Sequence, residues 1–165
     1  MIEIKIILLE FFEDEVSEAR VVMEKIKEIP LDYRLTEESR TVLELANHIA
    51  QIPRIDIGIY SGELASGELA HKMEIELTRK TLADILKVFD EGCKFLQKYF
   101  KTMTDEDFMK KSLVPFYEPN AKPNAWSYFL PKLTTHITLH KGILWSYLKS
   151  AKAKVNMFTY YGSKD

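Results

Sequence analysis

The sequence predicts an all-α fold, a four-helix bundle, on three observations. Apolar residues recur at three- and four-residue steps along four long stretches. Those stretches are separated by segments rich in proline, glycine and polar residues. The chain holds 6 glycines, and most lie outside the periodic stretches. With no internal repeat and no shift in composition, residues 1–165 read as one domain.

The first helix is expected from about Ile4 to Lys27. Leu8, Phe12, Val16, Ala19, Met23 and Ile26 form its stripe, and Pro30 stops it. The β-branched start "IKII" suits a strand, but it merges into the longer helical period. The second helix begins near Thr41, where "TVLE" has the form of a capping box: the Thr41 hydroxyl accepts from the Glu44 amide and the Glu44 carboxylate reaches back. Val42, Leu45, Ile49, Ile52 and Ile59 face inward, and Pro53 removes one backbone donor and should bend the helix. "SGELASGE" reads as a loop, and "GELAHKME" as a polar segment without a clear face, which places His71 on the surface.

The third helix is expected from about Thr78 to Thr102, burying Leu82, Ile85, Leu86, Phe89, Cys93, Leu96 and Phe100. "TDED" opens a short extra turn with Thr104 as cap. "LVPFYEPNAKPNA", with three prolines, is a long connection. The fourth helix runs from about Ala125 to Ser150 with Asn124 as cap and Pro131 inside it. Trp126, Phe129, Leu130, Leu133, Ile137, Leu144, Tyr147 and Leu148 line its inner face. The tail "VNMFTYYGSKD" is aromatic enough to pack back on the body. The long loops leave simple up-down connections open to question.

Composition narrows the function classes. Apolar residues make up 46% of the chain, enough to build a core without disulfides. The 23 basic and 25 acidic residues nearly balance and are well mixed, which gives no electrostatic case for nucleic acid or an anionic membrane. A single cysteine, Cys93, excludes an intramolecular disulfide and suits a reducing compartment; its neighbours Phe89, Leu96 and Phe100 mark it as a small core residue. No apolar run reaches the roughly 20 residues of a spanning helix, and the N-terminus lacks the features of a secretory signal. The expectation is a soluble cytoplasmic protein.

One segment breaks the pattern of an apolar inner helix. "TTHITLHKGILWSYL", Thr134 to Leu148, places His136 and His140 four residues apart, stacked roughly 6 Å from one another on one helical face. Two such imidazoles can converge on one cation. The spacing equally suits two core histidines satisfied by carbonyls or water. A catalytic metal centre usually takes three protein ligands, and His48, on the flank of the second helix level with Ile52, Ile55 and Ile59, is the natural third. "HITLH" has Ile137 where a zinc protease needs glutamate, so nothing there activates water for peptide hydrolysis. Glu15 and Asp56 lie near inner helix edges and could orient an imidazole, although acids more often sit in solvent. Tyr60, Tyr128 and Tyr147 could line a pocket, and aromatics at helical spacing are usually core. Trp145 and Leu139 point away from the inner stripe, which calls for a dimer contact or cover by the tail.

Taken together, "SRTVLELANHIA" (Ser39 to Ala50), "HITLHKGIL" (His136 to Leu144) and the terminal "FTYYGS" resemble the DinB/YfiT-like family of small bacterial four-helix proteins over nearly the full length. The most specific element is the three-histidine set with Gly142 two residues after the last histidine. Leu139, Lys141 and Ile143 depart from a frequent His, Arg and Gln of the family motif; all three adjoin the last histidine. The resemblance implies a divalent metal, zinc or nickel, held by His48, His136 and His140. It also implies a homodimer, and a small-molecule substrate such as a low-molecular-weight thiol, with bacillithiol-type S-transferases among its members. A cation among three neutral imidazoles keeps its full charge and favours a thiolate partner, which suits thiol transfer. No catalytic general base is legible. The competing readings are a non-enzymatic metal- or ligand-binding stress-response protein and an interaction protein without metal.

Overall fold

The computed structural model describes residues 4–163, and those residues are helical apart from their connections. Seven α-helices follow in order: α1 (Ile4–Glu24), α2 (Val42–Ser61), α3 (Gly67–Leu77), α4 (Leu82–Lys101), α5 (Asp105–Met109), α6 (Trp126–Ser150) and α7 (Met157–Tyr160). The only bridge between extended segments among them is an isolated one, Leu113 with Asn124, which closes the proline-rich connection before α6.

The predicted long helices are present, with small shifts at their ends. α1 tightens into a 3₁₀ turn at Lys25–Glu28 rather than continuing to Lys27 as α-helix. The capping box at Thr41 forms as expected: the Glu44 amide donates to Oγ1 at 3.1 Å and the Thr41 amide donates to the Glu44 carboxylate at 2.6 Å. α4 starts later than expected, at Leu82, capped by Thr81. α5 is capped by Thr104. α6 lacks the predicted Asn124 cap; Ala125 holds that position without a side-chain bond, because Asn124 is committed to the bridge with Leu113.

Two helices were not expected, and a repeated tetrapeptide explains one of them. "SGEL" occurs twice, and each copy does a different job. In the first, Gly62 takes φ +83° and ends α2, a conformation that costs glycine nothing. In the second, Ser66 caps α3 by accepting from the Leu69 amide. α3 has only Ala70 buried, packed with Ile55 and Leu64, so its period is faint. α7 is a single turn of the tail, whose Asn156 cap and Thr159 form a reciprocal pair.

Each long helix touches two others: α1 packs on α6 and α4, and α2 packs on α6 and α4. Side-chain pairs give the directions. Arg20 with Asp90 and Glu13 with Gln97 make α1 and α4 antiparallel. Thr138 with Glu15 and Lys141 with Glu18 make α1 and α6 parallel. His48 with His140 and Asp56 with His136 make α2 and α6 antiparallel. The order is therefore up, down, down, up, and α3 lies in the return path from the end of α2 to the start of α4. The aromatic centre of the core is Phe100, whose ring meets Trp126 and Phe108 edge-on. Cys93 is buried here too, and burial pushes its thiol up to about 12, which leaves it inert as a nucleophile.

Candidate metal centre

The α2–α6 seam brings His48, His136 and His140 together. One ring nitrogen from each lies within 4.8 Å of the others, and all three rings are half-buried. The helical phase explains the meeting. His136 and His140 are one turn apart on α6, and antiparallel α2 lays His48 across them. Nε2 of His48 stands 3.1 Å from Nε2 of His140, with the rings crossed at 83°.

Burial, joined by the charges of neighbouring rings and of Arg40, pushes His48 down to about 3 and His140 down to about 4. Both imidazoles are therefore neutral at physiological pH. Two neutral rings with nitrogens 3.1 Å apart cannot face each other lone pair to lone pair; a proton or a cation must lie between them. Nitrogen ligands around a tetrahedral zinc are spaced about 3.3 Å apart. The histidine set fits a divalent cation by donor type, and the His48–His140 pair fits it by spacing and by its neutral charge as well.

The surroundings are unequal. Nδ1 of His136 donates to Asp56 Oδ2 at 2.9 Å, and Asp56 is 6% exposed. That bond fixes the ring and leaves Nε2 free to face the other two histidines. Of the two readings of Asp56, the imidazole partner is the one that holds, and the general preference of acids for solvent fails at this position. Glu15 does not reach the histidines; it accepts from Thr138 at 2.7 Å and pairs with Lys141 at 3.1 Å. Nδ1 of His140 is buried without a hydrogen-bond partner among the described residues. A buried polar atom left without a partner costs about 1–3 kcal/mol.

Cavities open on both sides of the triad. A cleft of about 460 Å³ between α2, α3 and residues 78–80 of the connection to α4 reaches His48 past Leu43, Asn47 and Ile75. A recess of about 150 Å³ lies between His48 and His136, walled by Ile52, Ile55 and Ile59 as the phase of α2 required. A third cavity, of about 240 Å³, holds His140, Tyr147 and Ile143.

The sequence did not expose how the larger cleft is built. Asn47 accepts from the Arg79 amide at 2.7 Å and donates to its carbonyl at 2.8 Å. Gln51 donates to the Glu74 carbonyl at 3.0 Å and to Thr78 Oγ1 at 3.1 Å. These two buried amides rivet the α3–α4 corner onto α2. The available signal was spacing: Asn47 and Gln51 are four residues apart on one face of α2, and Gln51 is three residues after His48. His71 is exposed as expected, beside Glu74 at 3.3 Å, and lines the outer wall of this cleft rather than joining the triad. Of the three tyrosines, Tyr147 lines a cavity, Tyr60 stacks on Phe129 in the core and Tyr128 is exposed. Trp145 is covered by the tail, its ring edge-on to Tyr160, whereas Leu139 remains 59% exposed.

No family model matches the chain, and no curated protein sequence matches it. No described helix is long and apolar enough to cross a membrane.

A pH prediction follows from the two depressed rings. Their folded values lie below the ordinary 6.5, so the unfolded chain takes up protons that the folded chain refuses. Stability is complete above about pH 6.5 and falls as pH drops toward 4 and then 3. The melting temperature of metal-free protein should fall by about 5 °C between pH 7 and pH 5. A His48→Gln/His140→Gln double variant should lose that part of the slope. Equal slopes in thermal melts of the two proteins would show that the rings titrate normally.

Proposed function

We propose that this chain is a divalent-metal-dependent enzyme of the DinB/YfiT-like kind, a four-helix bundle acting in the cytoplasm as a thiol S-transferase. The observation that carries the reading is the convergence of three imidazoles, two of them held neutral, beside a cleft of about 460 Å³. His48, His136 and His140 would hold zinc or nickel. When bound there, the cation would lower the pKa of a thiol brought to it. The chain's own part is to orient: Asp56 fixes His136, and Asn47 and Gln51 keep the cleft wall in register with His48. Apolar walls at Leu43 and Ile75 suit the body of a small electrophile.

The test is consumption of low-molecular-weight thiol with monochlorobimane by protein loaded with zinc or nickel. Turnover that requires the metal and disappears in His136→Ala supports the reading. Full metal loading with no metal-dependent turnover across several thiols would instead favour the non-enzymatic metal-binding protein.

The reading also carries a homodimer. Ile4, Ile7 and Phe11 follow one another along an exposed stripe of α1, and Leu139 is exposed on the parallel neighbour α6. Light scattering should give twice the chain mass, and Phe11→Asp should shift it toward the monomer.

A further inference from the structure

The chain has five arginines, and four of them are engaged. Arg20 pairs with Asp90 and Glu24, Arg34 bonds the Ser39 carbonyl, Arg54 pairs with Glu63, and Arg79 donates to the carbonyls of Glu76 and Thr78. Arg40 is the exception. Its guanidinium makes no hydrogen bond or ion pair among the described residues. Glu44, one turn into α2, is taken by the Thr41 amide and lies 3.7 Å from Arg34; it feels the Arg40 charge without pairing with it.

The position of this cation is not arbitrary. Its backbone is pinned, because Tyr147 Oη donates to the Arg40 carbonyl at 2.7 Å. The residue lines both the cleft that contains His48 and the cavity that contains His140. Its charge is felt at both rings. An unpaired guanidinium beside neutral imidazoles, reached through two openings, presents a planar fork to whatever enters.

We infer that Arg40 is a specificity-determining anchor for a carboxylate on the ligand whose donor atom faces His48, His136 and His140. This rests on the metal reading above and narrows its substrate to a carboxylate-bearing small thiol. A carboxylate matches a single guanidinium fork in two parallel bonds. Leu43 and Ile75, on the cleft wall, suit a short aliphatic spacer between the two ends.

Calorimetry on zinc-loaded protein with 3-mercaptopropionate and its uncharged amide tests this, with zinc content measured in every sample. Wild type is expected to prefer the acid by about tenfold, the size of one charge-assisted bond pair. Arg40→Gln should equalise the two ligands, Arg40→Lys should keep part of the preference, and both variants should hold zinc and melt like wild type, since the side chain is exposed and unpaired. A zinc-loaded wild type without the preference, or an Arg40→Gln that keeps it, overturns the inference and leaves the metal reading standing. A wild type that holds no zinc overturns the metal reading itself, and is seen before any thiol is added.

Discussion

His140→Ala is expected to weaken zinc or nickel binding by at least about a hundredfold, read by competition titration against a chelator. The ring is central to the cluster. Its Nε2 is 3.1 Å from that of His48, and its centroid is 5.0 Å from that of His136. Removing it leaves two imidazoles, fewer than the three protein ligands of ordinary catalytic sites. Asp56→Asn should produce a smaller loss, about 10- to 100-fold, because it changes how His136 is held and not the number of nitrogens. His71→Ala should change nothing, because that ring stands apart in solvent. Equal losses in all three variants would mean that binding follows general destabilisation and not this geometry.

Lys141→Met is expected to cost about 3–5 kcal/mol of folding stability, read from urea denaturation. Lys141 is 1% exposed and is met by two carboxylates, Glu15 at 3.1 Å and Glu18 in a shorter contact. Tyr160 covers it, its ring centroid 4.5 Å from Nζ, so the group ties α1, α6 and α7 together. Without the ammonium, two acids face each other in a half-buried seam with no cation between them. That loss is a large fraction of the roughly 5–15 kcal/mol by which a domain of this kind is stable. The triple change Lys141→Met/Glu15→Gln/Glu18→Gln should recover much of it, because it removes the stranded charges along with the cation. A Lys141→Met variant as stable as wild type would show that the seam is wetter than its exposure indicates.

These two residues show what the sequence could and could not disclose. His140 was legible because a helix repeats every 3.6 residues, and a polar ring inside an apolar stripe stands out. The long helices were legible for the same reason, and Thr41, Thr104 and Pro30 marked ends that local chemistry decides. Lys141 stands out in the sequence only as a departure from a motif. Its burial depends on which acids of α1 arrive opposite, and nothing local to "HKGIL" encodes that. The role of Asp56 is not legible locally, because its partner lies 80 residues away and only the antiparallel α2–α6 contact brings them together. α3 was hidden by its thin apolar face, with Leu69 and Ile75 exposed. Missing α3 meant missing the cleft, since the wall beyond His48 belongs to α3 and the corner that follows it.

Elemental analysis of protein purified without a nickel column shows whether three histidines on two antiparallel helices hold one divalent cation. About one equivalent of zinc or nickel per chain is expected, retained through dialysis and absent from the His140→Ala variant. Protein that carries no metal, and takes up neither ion when it is supplied, would contradict the three-histidine site.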